Sequence, residues 1–125
     1  MTPFGQRVRE HRAQRGITLA EMAAMLSVTP AYLSALEHGK RGRPTFTLIQ
    51  GVIHVLGVIW DEADELVRLA DLSHPRVTVD TAGLDSEATL LANRLAREIG
   101  ELEAQDLLRL AAVLDAAAAR RSGPA

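Results

Sequence analysis

Apolar residues recur along this chain at helical spacing, and start and stop signals cut the pattern into seven segments. Phe4 and Val8, with His11 on the same side, make the first stripe. Thr2 and Pro3 form its cap and first position, and Gly16 ends it. Met22, Ala23 and Leu26 make the second, behind an N-cap at Thr18 whose capping box is completed by Glu21. A new start follows at once. Thr29 is an N-cap type, and Pro30 takes the first helical position, where a missing N–H costs nothing. Leu33 and Leu36 carry the third stripe to His38, and Gly39 supplies a left-handed stop. Pro44 opens a fourth segment whose predicted buried positions are Phe46, Ile49, Val52, Ile53 and Leu56, with Gly57 as its end. Trp60 begins a fifth. There Leu66, Val67, Leu69 and Ala70 face the core, and Asp61, Glu62, Asp64 and Glu65 complement the helix dipole.

His74 and Pro75 break the helical pattern. Residues 77–80 (ValThrValAsp) alternate like a strand, but the run is very short and no second strand is in sight. It reads as an extended linker, or as one strand paired across a dimer. Asp85 or Ser86 caps a sixth segment with Leu90, Leu91, Leu95 and Ile99 as its stripe, and Gly100 interrupts it. Glu103 or Ala104 starts a seventh, where Leu107, Leu110, Ala111, Leu114 and Ala118 follow the i, i+3, i+4, i+7 rule. Residues 120–125 form a polar tail. The pattern predicts an all-α fold without internal repeats. Its parts are a five-helix bundle over residues 1–72, a linker over 73–85 and a C-terminal helical hairpin over 86–121.

Two short helices joined by a three- to four-residue turn, here Thr18 to His38, are the helix-turn-helix motif. The run ThrLeuAlaGluMetAla from Thr18, the run SerValThrProAlaTyrLeuSerAlaLeuGluHisGlyLys from Ser27, and the ArgPro of Arg43 and Pro44 resemble the phage-repressor, XRE or Cro-like, family. The resemblance covers roughly Phe4 to Ala70. It implies a repressor-like bundle and a double-stranded DNA partner, with the third helix in the major groove and its first residues at base edges. The base-facing positions it assigns are Thr29, Pro30, Ala31, Ser34 and Ala35. That set lacks the Gln, Asn or Arg that discriminate bases by bidentate contacts. Leu19 stands where many relatives have a glutamine that meets DNA. Part of the specificity is therefore expected from DNA shape, or from Arg41 or Arg43 reaching a base.

Lys40, Arg41 and Arg43, set around Gly39 and Gly42, are the best phosphate candidates, joined by the backbone amide of Leu19. Tyr32 is either a phosphate contact through its hydroxyl or a partly buried core ring. The resemblance also pairs an arginine of the first helix with a glutamate ending the third, here Arg12 and Glu37. Such a buried pair is a structural brace and makes Glu37 no catalytic acid.

Net charge is −2, which by itself argues against nucleic acid, but its distribution changes that picture. Residues 1–44 hold seven basic and three acidic side chains, and residues 45–125 hold seven and thirteen. A basic half beside an acidic half suits one face meeting phosphate. Apolar residues make up 47% of the chain and aromatics only 3%, so the core is aliphatic and favours helix packing. There is no cysteine, hence neither a disulfide framework nor a thiolate metal site. Arg7, Arg9 and Arg12 interrupt any signal-like apolar segment, and no apolar run is long enough to span a bilayer. We expect a cytoplasmic protein with no membrane partner and no cofactor. His11, His38, His54 and His74 never recur at i, i+3 or i+4, Ser27 and Ser34 lack a nucleophile-elbow context, and GlyLysArgGly is no Walker loop. Enzyme readings fail on that inventory.

The expected function is sequence-specific DNA binding as a transcriptional regulator, a homodimer on an inverted-repeat operator. Leu95, Ile99, Leu107, Leu110 and Leu114 are its expected interface. The alternative is an antitoxin whose C-terminal segment masks a toxin. A second protein partner would then be that toxin or, for a regulator, RNA polymerase. A third reading is a helix-turn-helix fold that binds protein and no DNA.

Overall fold

Threonine hydroxyls start four of the first five helices. The computed structural model, which describes residues 1–123, shows α1 (Pro3–Arg15), α2 (Leu19–Met25), α3 (Pro30–Glu37), α4 (Phe46–Leu56) and α5 (Trp60–Asp71). Thr2, Thr18, Thr29 and Thr45 accept the N–H of Gly5, Glu21, Tyr32 and Leu48 at 3.0, 3.1, 3.1 and 3.2 Å. The Glu21 carboxylate accepts the Thr18 N–H in return, at 3.2 Å. Pro44 does not open α4. It is buried one residue before the Thr45 cap. The turn between α2 and α3 contains no glycine, and Ser27 adopts the left-handed region there at φ 58°.

These five helices belong to one compact unit, Met1–Val77, and share one apolar core, aliphatic but for Phe4 and Met22. Phe4, Val8, Met22, Leu33, Ile49, Val52 and Leu66 are fully buried in it. Phe46 is a correction to the sequence reading: it is 73% exposed. It falls with half-buried Ile53 on the rim of the α4 stripe, at the helix end, while Leu48 joins Ile49, Val52 and Leu56 in the core. Val67 is exposed for a similar reason, lying about 100° around α5 from buried Leu66. α1 crosses α3 at backbone contact. A Cβ on Gly5 would stand 2.1 Å from the Glu37 carbonyl oxygen, so only glycine fits. The Thr2 N–H donates to that carbonyl at 2.9 Å. At the far end of α5, Ser73 accepts the Phe4 N–H at 3.0 Å and donates to the Leu69 carbonyl at 2.5 Å.

The second unit runs from Thr78 onward. It holds α6 (Ser86–Glu98), a 3-10 turn (Ile99–Glu101) around Gly100, and α7 (Ala104–Arg121). Residues 77–80 form no strand among the described residues. Asp85 precedes α6 without a side-chain cap bond, whereas Glu103 begins α7 with its N–H donating to Asp106 at 3.0 Å. No residue of α6 or α7 is buried. The polar tail expected over 120–125 lies partly outside the described residues.

Candidate nucleic-acid interface

The axes of α2 and α3 meet at 108°, inside the range of helix-turn-helix pairs. Leu33 and Leu36 turn inward, so α3 is anchored from behind. What it presents outward is its first turn. Thr29, Pro30 and Ala31 are exposed, and Ser34 and Ala35 one turn on are half-buried. The Thr29 hydroxyl is already occupied as an acceptor by the Tyr32 N–H, which leaves its O–H free to donate outward. Leu19 is the first residue of α2, with its side chain half-buried against the core.

Behind α3 the chain turns on Gly39, at φ 81°, where the Lys40 N–H donates to the Ala35 carbonyl at 2.9 Å. Lys40 and Arg41 are exposed, and neither forms an ion pair among the described residues. The Arg41 guanidinium lies 5.5 Å from the centroid of the half-buried Tyr32 ring, a cation–π contact that joins two of the phosphate candidates. Arg43 differs. Its guanidinium is engaged by Asp71 at the end of α5 and by the Pro44 carbonyl. Sequence reasoning missed Asp71, since nothing local marks a contact between residues so far apart.

Arg12 and Glu37 come together in the interior. Arg12 Nη2 donates to both carboxylate oxygens, at 3.0 and 3.1 Å, with side chains only 9% and 3% exposed. The pair ties α1 to the C-terminal end of α3 and so sets how α3 stands on the bundle. Arg7 is drawn away from any outside partner by Glu10 at 2.9 Å and Glu65 at 2.6 Å. The Arg7 hydrogen bond holds the Glu65 carboxyl below its ordinary range. Among the described residues no three His, Asp or Glu side chains gather as a metal site, and no single helix is long and apolar enough to cross a membrane.

In the second unit, Ile99, Leu107, Leu110 and Leu114 are exposed and Leu95 is half-buried. Leu90 and Leu91 of the α6 stripe are exposed as well, and so are Leu108 and Val113, which the stripes did not include.

A family model described as a helix-turn-helix domain matches residues 3–72. The chain is 38% identical over 61 residues to RghRB of Bacillus subtilis (strain 168), an uncharacterized HTH-type transcriptional regulator, covering 49% of this chain and 44% of that protein. It is 32% identical over 66 residues to the HTH-type transcriptional regulator SinR of Bacillus licheniformis, covering 50% of this chain and 60% of the other. A solved SinR protein/SinI protein complex aligns at 26% identity and a TM-score of 0.44, over 96% of this chain and 99% of that one. The chain spans about half the length of the curated relatives it matches.

Proposed function

The chain belongs to the helix-turn-helix domain family, and on that premise we propose that it is a sequence-specific DNA-binding transcriptional regulator acting as a homodimer. One observation carries the reading. An anchored α3 offers an exposed, Thr29-capped first turn, and the exposed cations Lys40 and Arg41 follow directly behind it. In the groove, Ala31 and Pro30 touch thymine methyls, and Thr29 and Ser34 supply hydrogen bonds. Lys40, Arg41, Tyr32 and the Leu19 amide hold the flanking phosphates. With so few base-reading donors, DNA deformability adds to the specificity. Random-site selection tests this. The wild-type chain should enrich an inverted repeat, and Ala31→Gln should change the preferred bases while the protein stays folded. An unchanged site preference would take this face of α3 out of the groove.

Apolar faces on α6 and α7 fit a second copy of the same chain. Asp106 opens α7 and Arg120 and Arg121 close it, so an antiparallel partner α7 meets opposite charge at both ends. Such a two-fold sets two recognition helices about 34 Å apart, or a multiple, and so requires an inverted-repeat operator.

A further inference from the structure

Of the three cations in the loop after α3, Arg43 alone is in an ion pair among the described residues. Its Nε donates to the Asp71 carboxylate at 3.1 Å, its Nη2 donates to the same oxygen, and its Nη1 donates to the Pro44 carbonyl at 3.0 Å. Arginine engages a carboxylate and a phosphate with the same fork of N–H donors. Asp71 therefore occupies on Arg43 the place that a phosphate oxygen would take.

The carboxylate is held there by a firm frame. Asp71 is the last residue of α5, and the turn that follows is fixed to α1 through Ser73 and the Phe4 N–H. Further along, Pro75 lies next to Gly39 at the start of the basic loop, where a Cβ on the glycine would come within 3.8 Å of the proline Cβ. The end of the bundle and the basic loop thus run side by side. Yet the pair is open to solvent, with side chains 32% and 60% exposed, so a competing anion can reach it.

We propose that Asp71 is an internal stand-in for duplex phosphate. It holds Arg43 in the free protein and yields it to the DNA backbone on binding, so a residue outside the recognition helix sets the affinity. The proposal rests on the reading that residues 39–43 meet DNA. Exchange of one anion for another on a surface arginine carries the modest cost of a surface ion pair, about two- to fivefold in affinity.

The test compares the 125-residue wild type, Asp71→Asn, Arg43→Ala and the double variant on a duplex taken from the selected sites. Fluorescence anisotropy reads Kd across a KCl series, and thermal melting confirms that each variant is folded. Asp71→Asn should bind about two- to fivefold tighter, while the slope of log K against log salt stays that of the wild type, because Arg43 reaches the backbone in both complexes. In the Arg43→Ala background the same change should give no gain. Weaker or unaltered binding by Asp71→Asn would overturn the proposal. An equal gain without Arg43 would overturn it too, by reducing Asp71 to a general repulsion of DNA. A Lys40→Ala, Arg41→Ala variant separates the two levels. If it and Arg43→Ala both keep the wild-type salt slope, the loop itself is not at the backbone and the failure lies in the underlying reading.

Discussion

His11 lies among charged neighbours. It is fully buried on α1, with Nδ1 3.1 Å from an Arg15 guanidinium nitrogen and 3.7 Å from the Glu62 carboxylate. A guanidinium only donates, so Nδ1 must accept, and the ring proton sits on Nε2, which has no partner among the described residues. Burial pushes the His11 pKa below its ordinary value, Arg7 and Arg15 push the same way, and Glu62 and Glu65 oppose them. The folded state thus favours neutral His11, and the unfolded chain binds the proton more readily. Stability is fully present above the unfolded pKa of about 6.5 and is lost as pH falls from there through the lower folded value. Urea unfolding should therefore give a smaller free energy at pH 5.5 than at pH 7.5, and His11→Gln should flatten the difference. A slope that survives this substitution would belong to other groups.

At the scale of elements, α1 and α3 are locked together by a glycine and an ion pair. Gly5 lets the backbones touch, and Arg12 reaches Glu37 in the interior with its own Nε unpartnered among the described residues. A buried pair like this one holds geometry, because its desolvation offsets most of its attraction. Removing one partner strands the other. Glu37→Ala should cost about 3–5 kcal/mol in urea unfolding, while the joint change Arg12→Met, Glu37→Leu should cost far less. Equal losses from both would mean that the charge, and not its stranding, carries the stability. The same contrast between local and distant causes governs what the sequence made legible. Thr18 with Glu21, and Thr29 with Pro30, act on amides within three residues, so those starts can be read directly. Gly16 and Gly57, left-handed at the helix ends, are equally local. Phe46 cannot be read this way. Its apolarity and spacing point inward, but its place on the rim at a helix end leaves it outside. The Arg43–Asp71 contact joins residues 28 apart, and only the packing of α5 brings them together. Left-handed Ser27 also escaped notice, since that turn usually advertises itself with glycine.

For the molecule as a whole, the two units differ in what they bury. The first encloses Phe4, Met22, Leu33, Ile49 and Leu66 and needs no partner for its core. The second buries nothing in α6 or α7, yet carries Ile99, Leu107, Leu110 and Leu114 on its surface. Each of these is worth roughly 1.5–3 kcal/mol when taken fully out of water, enough together to drive association. Eight acids against five arginines from residue 78 onward make the second unit a poor surface for phosphate, which favours a protein occupant. If that occupant is a second copy, affinity for an inverted repeat depends on α6 and α7 although neither touches DNA, because they join two weak half-site contacts into one event. Truncation after Leu84 isolates this contribution. The remaining chain keeps the whole core of the first unit and should melt cooperatively, scatter light as a monomer, and bind the inverted repeat far more weakly than the full chain. Its affinity for a single half-site should be unaltered, since Thr29 to Ala35 and Lys40 to Arg43 are all retained. A truncated protein that stays dimeric and binds the repeat as tightly as before would move the interface into the first unit. An untruncated chain that is monomeric by light scattering, but co-purifies with a second small protein bound to α6 and α7, would give those faces to a different partner.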